Sequence, residues 1–204
     1  MEKNDLKGSL TEQNLLKAFA GESQAAARYR MYAKQARKDG FEKVACFFDE
    51  TVHNELRHGK IYFEFLQGGM VEITASYPAG VIGTTLENLD EAAQGEYDEW
   101  QNLYPAYSEV AKQEGFSEIA RQFAMIAEIE RTHMERFRGL YDTMKDGHIF
   151  VKEEDTVWRC MECGHIYIGK KAPNRCPVCQ HPQGYFIRQV MAPFDFSQMK
   201  GCGC

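Results

Sequence analysis

The sequence predicts a mainly α protein, a four-helix bundle with one long crossover connection that is followed by a small domain built on four cysteines. Three features support this prediction. Long runs of good helix formers alternate with glycines, one motif occurs in both halves of the helical region, and two Cys-x-x-Cys pairs lie near the C-terminus. A chain of 204 residues can form one mid-sized and one small domain. We expect the bundle in residues 1–150, the cysteine domain in 155–192 and a tail in 193–204.

Glycines mark where the predicted helices end. The four helices are expected over residues 10–38, 41–66, 85–113 and 116–145. Gly40 and Gly115 follow the first and third of them, as glycine does at many helix C-termini. Pro105 is expected to bend the third helix. Residues 70–83 contain proline, glycines and β-branched residues, so they predict a crossover without a helix.

The composition is that of an ordinary globular chain, with 44% hydrophobic and 26% charged residues. The net charge of −6 argues against a general nucleic-acid binder. No apolar stretch approaches the length of a membrane span, and the first residues lack the apolar core of a signal peptide. We therefore expect a cytoplasmic protein whose seven cysteines are metal ligands or free thiols rather than disulfides.

An internal repeat relates the two halves of the bundle. The pattern Gly-Phe-x-x-Val/Ile-Ala-x-x-Phe occurs at residues 40–48 and again at 115–123. The same offset along the chain relates three further pairs, Tyr29 and Tyr104, Glu55 and Glu130, and His58 and His133. Glu22 and Glu96 form a fourth pair, whose offset is one residue shorter. Two helical hairpins related by a pseudo-twofold axis would place these groups on facing helices.

The repeated Glu-x-x-His pairs predict a metal site inside the bundle. Residues three apart share a helix face, so each pair can point at one ion. Glu22 and Glu96 add one carboxylate from each remaining helix, and Glu99 adds another three residues after Glu96. Glutamates buried together without metal would repel strongly, whereas two iron ions would turn them into a binding site. One Glu-x-x-His alone is usually solvated surface; the complete set favours the diiron interpretation. Tyr29 and Tyr104 are expected to hydrogen-bond ligand carboxylates.

A second metal site is predicted at Cys160, Cys163, Cys176 and Cys179. Two Cys-x-x-Cys loops bring four thiolates together at tetrahedral angles, which suits a mononuclear iron or zinc. Four protein ligands leave no open position, so the site should transfer electrons rather than bind substrate. Zinc remains an alternative, since such pairs bind zinc in many proteins and zinc also replaces iron by misincorporation.

Three cysteines fall outside this pattern. Cys46 is expected to pack in or near the core of the second helix. Cys202 and Cys204 end the chain, either as a frayed tail or as a redox-active or metal-scavenging tail.

The chain resembles the rubrerythrin family, in which a ferritin-like diiron bundle is fused to a rubredoxin-like domain. The resemblance covers roughly residues 6 to 190 and is carried by the motifs at 19–24, 55–58, 95–99, 130–133, 158–164 and 176–179. It implies a non-haem diiron peroxidase that reduces hydrogen peroxide to water. Electrons would arrive through the rubredoxin-type iron, and ultimately from NAD(P)H through a separate reductase.

The resemblance also implies roles for individual residues. Glu55 and Glu130 would bridge two irons, one iron would move between His58 and Glu99, and Glu22 would bind that same iron. Glu96 and His133 would bind the second iron. Ferroxidase or iron-handling activity and simple electron transfer remain alternative functions, although Glu99 and the attached cysteine domain argue against iron storage.

The fourth helix predicts how electrons reach the diiron site. It continues for about 16 residues beyond Glu130, which is roughly 24 Å of helix, before the cysteine domain begins. That length disfavours transfer within one chain. A head-to-tail homodimer, in which the cysteine domain of one chain covers the bundle of the other, is therefore expected, and the resemblance implies the same pairing.

Overall fold

A computed structural model describes residues 5–189 of the chain. These residues form two compact units that divide between Ile149 and Phe150. The first is helical and the second contains a small sheet. Among the described residues, no helix combines the length and the apolar character that a membrane span requires.

The helical unit has four long segments, the third of which is interrupted. In residues 5–149 the α-helices are α1 (Leu10–Lys38), α2 (Glu42–Phe65), α3 (Thr85–Asp98), α4 (Tyr104–Gln113) and α5 (Ser117–Lys145). A π-helical segment, Glu99–Leu103, joins α3 directly to α4. The crossover between α2 and α3 contains no helix or strand, as the sequence predicted. The mainly helical, four-segment bundle is confirmed.

The interruption of the third segment lies immediately before Pro105, where the sequence predicted a bend. Pro105 is the second residue of α4, and a proline lacks the N–H that would bond to the preceding turn of a continuous helix. The irregularity comes before it, where the amide of Tyr104 donates to the carbonyl of Glu99, five residues back. Tyr104 lies eight residues after Glu96, whereas Tyr29 lies seven after Glu22. The π-helical turn therefore absorbs one added residue in the second hairpin.

The two hairpins turn in the same way. Gly40 and Gly115 both have φ of +85°, a conformation that glycine adopts without steric cost. The amide of Phe41 donates to the carbonyl of Ala36 at 2.8 Å, and that of Phe116 donates to the carbonyl of Ala111 at 2.7 Å. The repeated Gly-Phe pair is thus a helix C-terminal motif that closes both hairpins.

Each hairpin also caps a helix of the other. The carboxylate of Asp39 accepts from the amide and the hydroxyl of Thr85 at 2.9 and 2.6 Å, at the start of α3. The carboxylate of Glu114 accepts from the amide and the hydroxyl of Thr11 at 2.8 and 2.6 Å, at the start of α1. These bonds satisfy amides that have no partner within their own helix, and they join the hairpins at both ends.

The candidate metal ligands separate two apolar clusters. One cluster contains Ala25 to Ala36 of α1, Val44 to Val52 of α2 and Phe137 of α5. The other contains Leu15 and Ala18 of α1, Tyr62 of α2, Tyr104 of α4 and Ile119 to Ala127 of α5. On each helix the predicted ligands lie between the residues of the two clusters. Packed apolar side chains therefore surround a polar layer across the middle of the bundle.

The second unit is a three-stranded antiparallel sheet. The strands are β1 (Val151–Cys160), β2 (Ile166–Lys171) and β3 (Phe186–Arg188), in the order β2-β1-β3. The β1 strand thus begins four residues before the start predicted for the cysteine domain. Trp158 is buried between the sheet and the cysteines, and its Nε1 donates to the carbonyl of Gly169 at 2.9 Å. This small core holds the two cysteine loops.

Candidate metal centres

Six of the seven predicted Glu and His ligands converge in the middle of the bundle. They form two overlapping groups, in each of which one ligand atom per residue lies within 4.8 Å of the others. The groups are Glu22, Glu55, His58 and Glu130, and Glu55, Glu96, Glu130 and His133. All six side chains are buried. Glu55 and Glu130 belong to both groups, so they lie between two potential metal positions.

The first group centres on His58, at the α2 side of the site. Its Nδ1 lies 3.0 Å from Oε1 of Glu130, 3.2 Å from Oε2 of Glu55 and 3.9 Å from Oε2 of Glu22. Glu55 and His58 reach the same place because they are three residues apart on one helix face. One imidazole nitrogen and three carboxylate oxygens form a donor set suited to iron.

The second group repeats this arrangement around His133 on α5. Its Nδ1 lies 2.7 Å from Oε2 of Glu130, 3.2 Å from Oε1 of Glu55 and 3.5 Å from Oε2 of Glu96. Glu55 and Glu130 therefore each direct one oxygen towards His58 and the other towards His133. A carboxylate in this position is placed to bridge two ions.

Several oxygens in this layer accept no hydrogen bond of normal geometry from any described residue, although some of them lie within ion-pair distance of the imidazoles. They are Oε2 of Glu22, Oε1 of Glu55, Oε2 of Glu96 and both oxygens of Glu130. A buried carboxylate oxygen without a partner is costly. Four buried glutamates with unpaired oxygens and two imidazoles fit a pair of iron ions, which would supply the missing positive charge.

The pKa values show the same shortage of positive charge. Burial, followed by the charge of Glu55, raises the pKa of Glu22 well above its usual value and that of Glu96 to about 8. Burial opposes a charged His58, but its contacts with Glu130 and Glu55 prevail and raise its pKa to about 9. Without metal, protons must therefore neutralise part of the site. Metal ions would displace those protons on binding.

Two tyrosines each bind a carboxylate of the opposite hairpin, that of Glu22 or Glu96. The hydroxyl of Tyr29 on α1 donates to Oε1 of Glu96 on α3, in a buried bond. The hydroxyl of Tyr104 on α4 donates to Oε1 of Glu22 on α1 at 2.5 Å. In each case the second carboxylate oxygen is left without a hydrogen bond among the described residues. The tyrosines thus orient Glu22 and Glu96 so that one oxygen of each is available for metal.

Glu99 lies outside both groups of convergent ligands. It is the first residue of the π-helical segment, and its side chain lines a cavity beside the site together with Gly21, Arg28, Tyr77, Tyr104 and Tyr107. Burial, followed by the charge of Glu96, raises its pKa well above the usual value. The structure thus has His58 among the convergent ligands and Glu99 apart from them.

Tyr62 is a residue of this site that the sequence analysis missed. It is fully buried on α2, and its ring packs against those of Tyr104 at 5.6 Å and Phe123 at 4.9 Å. Burial, followed by the charges of Glu22 and Glu130, raises its pKa well above the usual value. The signal was its position four residues after His58, which places it on the ligand-bearing face of α2.

The four predicted cysteines of the second unit converge as expected. Their sulfurs lie within 4.8 Å of one another, with 3.6 Å between Cys160 and Cys179 and 3.5 Å between Cys163 and Cys176. Burial acts to raise the pKa of Cys176, but the amides of Cys179 and Val178 donate to its sulfur and bring the pKa to about 6. Four convergent thiols with amide donors fit a single tetrahedral ion.

The two cysteine loops have closely similar backbones. The amide of Gly164 donates to the carbonyl of Cys160 at 3.0 Å, and that of Gln180 donates to the carbonyl of Cys176 at 2.9 Å. Gly164 has φ of +76° and Gln180 has φ of +63°. Gln180 thus adopts in the second loop the left-handed conformation that glycine adopts in the first.

Three cysteines lie outside the two predicted ligand sets. Cys46 is half-buried on α2, with its sulfur 3.6 Å from Oε1 of Glu42, which agrees with a packing role. Cys202 and Cys204 lie outside the described residues.

Comparisons with known proteins agree with both sites. The family model for rubrerythrin matches residues 13–141, and that for the rubredoxin-like domain of rubrerythrin matches residues 158–187. The rubrerythrin of Porphyromonas gingivalis is 52% identical over 181 residues, which cover 89% of this chain and 90% of that protein. The rubrerythrin of Nitratidesulfovibrio vulgaris is 47% identical over 181 residues, with 89% and 95% covered.

Solved structures give the same result for the fold. Mixed-valence nigerythrin is 30% identical, with a TM-score of 0.59 over 92% of this chain and 90% of that one. The bacterioferritin of Desulfovibrio desulfuricans, described with a diiron site, is 21% identical with a TM-score of 0.59, over 68% and 82% of the two chains, and supports the ferritin-like fold alone. With a candidate diiron site of glutamates and histidines in its bundle and a four-cysteine rubredoxin-like site in its second unit, this chain belongs to the rubrerythrin family.

Proposed function

We propose that this protein is a peroxidase that reduces hydrogen peroxide to water at a pair of iron ions in the bundle. The observation that supports this most directly is the pair of buried ligand groups that share Glu55 and Glu130. A redox site for two metal ions lies in the same chain as a four-cysteine site that has no substrate position. This combination fits an enzyme that receives electrons one at a time and delivers two to a substrate.

The proposed ligands divide between two iron positions. Glu22 and His58 belong to one, Glu96 and His133 belong to the other, and Glu55 and Glu130 serve both. Glu99 is proposed as an alternative to His58 when the oxidation state changes. Its position beside the convergent ligands, rather than among them, supports an exchange of this kind. Cys160, Cys163, Cys176 and Cys179 are proposed to hold the third iron.

The iron pair, when bound, supplies two electrons and polarises the O–O bond as a Lewis acid. Reduction of one peroxide to two waters also consumes two protons. Tyr104 holds a proton against Glu22, and Glu99 lines the cavity with a carboxyl whose pKa is raised, so both can hold a proton next to the reacting oxygens. Tyr29 and Tyr104 also hold the carboxylates of Glu96 and Glu22 in place, which limits the movement of these side chains during the reaction.

Electron supply is the second part of the proposal. The four-cysteine site, with iron bound, would receive electrons from NAD(P)H through a separate rubredoxin reductase or similar donor. It would supply them to the diiron site of a partner chain in a head-to-tail homodimer. The amide donors around the sulfurs support an electron-transfer role, since they set the potential of a thiolate-bound iron. The reducing cytoplasm is the proposed compartment, because it keeps all four thiols free to bind metal.

Anaerobic stopped-flow absorbance tests the proposal. The reduced, iron-loaded protein is mixed with one equivalent of hydrogen peroxide, and the ferric-thiolate band of the four-cysteine iron is followed. We expect that band to develop rapidly with peroxide and much more slowly with oxygen. A slow response to peroxide and a fast one to oxygen would instead identify a ferroxidase or an oxidase. If neither oxidant changed the ferric-thiolate absorbance, the proposed electron path would be contradicted.

A further inference from the structure

A cavity of about 350 Å³ lies beside the candidate diiron site in the helical unit. Residues of α1, α3, α4 and the π-helical segment form its inner wall, and residues 74–78 of the crossover form its outer wall. The inner wall carries Glu99 and Tyr104, and the hydroxyl of Tyr104 donates to Glu22. A molecule in this cavity would therefore reach the residues that border the metal positions.

Gly21 keeps the cavity continuous from the crossover to Glu99. A Cβ at this position would lie 3.6 Å from Cε1 of Tyr77 and 3.9 Å from Oε1 of Glu99. Any larger side chain would extend into the space between these two groups. Tyr77 is fixed in the outer wall because its hydroxyl donates to the carbonyl of Lys17 at 2.8 Å. The passage is thus bounded by a tyrosine on one side and a carboxyl on the other.

The cavity is much larger than hydrogen peroxide requires. A water molecule occupies only about 30 Å³, and pockets of about 300–1,000 Å³ suit organic ligands. Ala18, Ala75, Pro78, Leu103 and the ring of Tyr107 provide apolar wall. Gln24, Arg28 and Glu99 provide polar groups, and Lys17, Thr74, Ser76 and Asp98 also line the cavity. A cavity with both apolar and polar wall beside the candidate diiron site fits a molecule with an apolar body and a polar end.

We propose that this cavity is the substrate entrance and that it admits organic hydroperoxides of moderate size as well as hydrogen peroxide. The inference rests on the proposed peroxidase function and extends its substrate class. The alkyl or aryl group would occupy the apolar wall, with the hydroperoxide group towards Glu99. Cleavage of the O–O bond consumes two electrons and two protons, and yields one alcohol and one water. The electrons are those that the proposed function already supplies through the four-cysteine iron.

Binding to the metal-free protein tests the cavity independently of turnover. The probe is cumyl alcohol, the unreactive alcohol that reduction of cumene hydroperoxide yields, and its binding is followed by saturation-transfer NMR. We expect binding to the wild-type protein, and binding at least about tenfold weaker in Gly21→Val, because a side chain there narrows the passage. The matched control is Gly139→Val, since a Cβ at Gly139 on α5 meets no atom within 4 Å. Equal binding in the wild type and Gly21→Val, or no binding at all, would overturn the proposal.

Turnover with two substrates provides the second readout. The ratio of kcat/KM for cumene hydroperoxide to kcat/KM for hydrogen peroxide should fall about tenfold or more in Gly21→Val and remain unchanged in Gly139→Val. Tyr77→Ala opens the outer wall and should raise the ratio, and this variant keeps the test available if Gly21→Val fails to fold. Turnover of hydrogen peroxide but not of cumene hydroperoxide would refute this inference alone. Failure with hydrogen peroxide would refute the proposed function itself.

Discussion

The hydroxyl of Tyr104 donates a hydrogen bond of 2.5 Å to Oε1 of Glu22, which lies 82 residues earlier in the chain. The counterpart bond runs from Tyr29 to Glu96. Each tyrosine belongs to one hairpin and each carboxylate to the other, so the two bonds cross the interface in opposite directions. The orientation of a proposed ligand in one hairpin therefore depends on the other hairpin.

The first prediction concerns this bond. Tyr104→Phe should weaken iron binding at the position of Glu22 and His58 by about 10- to 100-fold, because the carboxylate loses the donor that orients it. Anaerobic competition with a chelator measures the affinity. Tyr107→Phe is the matched control, since this half-buried tyrosine lies one helical turn further along α4. Equal iron affinity in both variants would show that the bond does not orient the ligand.

The second prediction separates Glu55 from Glu99. Glu55→Gln removes a charge that both ligand groups share, so ferrous iron should be lost from both positions. Glu99→Gln should retain two ferrous ions, because Glu99 lies outside both groups, while its reoxidation by peroxide should slow. Iron content after anaerobic dialysis and stopped-flow rates measure the two effects. Equal iron loss in both variants would place Glu99 among the ligands of the reduced state.

The third prediction concerns the pH dependence of the metal-free protein. The pKa of His58 is raised from 6.5 to about 9 in the folded state, so its contribution to stability is complete below about pH 6.5. That contribution is lost as the pH rises through about 9. The pKa of Glu96 is raised from 4.5 to about 8, so its contribution is likewise lost between those values. We expect the free energy of unfolding to fall by a few kcal/mol between about pH 5 and 9.

Thermal unfolding followed by circular dichroism across this pH range measures the effect. The Tm of the metal-free protein should decrease as pH rises, whereas the iron-loaded protein should change less, since metal replaces the protons. The pKa of Glu55 is lowered to about 2, so its contribution acts in the opposite direction and disappears only under strong acid. A metal-free Tm that rose from pH 5 to 9 would contradict the charge distribution described for the site.

The fourth prediction compares the two cysteine loops. Gly164→Gln should destabilise the metal-bound unit by about 1–2 kcal/mol, because a side chain disfavours its φ of +76°. Gln180→Gly should remove that cost in the second loop, offset in part by the greater entropy of glycine in the unfolded chain. Denaturant unfolding followed by thiolate-to-metal absorbance measures both. Gln180→Gly should not raise the free energy of unfolding by as much as Gly164→Gln lowers it. If Gln180→Gly lowered that free energy by as much as Gly164→Gln, the prediction would be contradicted.

The sequence predicted the convergence of the ligands because the repeat carries them. Helix spacing places Glu55 with His58 and Glu130 with His133, and the constant offset of the repeat places the two pairs opposite each other. The position of Glu99 could not be predicted in the same way. Regular α-helical spacing assigns it to the face of Glu96, and its amide does bond to the carbonyl of Gly95 as in an α-helix. Its side chain nevertheless lines the cavity beside the site instead of joining the convergent ligands.

A signal for the π-helical turn was nevertheless present. The offset from Glu22 to Glu96 is shorter by one than the offset from Tyr29 to Tyr104. The offset therefore grows by one residue between the glutamate pair and the tyrosine pair. One residue has been added there while the contacts of both pairs are kept, and a π-helical turn is the usual way for a helix to absorb an added residue. The cavity could not be predicted, because it depends on where the irregular crossover packs.

The added residue also has a consequence for the iron pair that the structure is suited to hold. A hairpin repeated without change would surround both ions with the same groups, so neither could be oxidised, moved or approached by substrate in preference to the other. The π-helical turn ends this equivalence, since the second hairpin gains Glu99 where the first has Gln24 and Ala25. One residue added to the backbone thus makes the surroundings of the two proposed iron positions different.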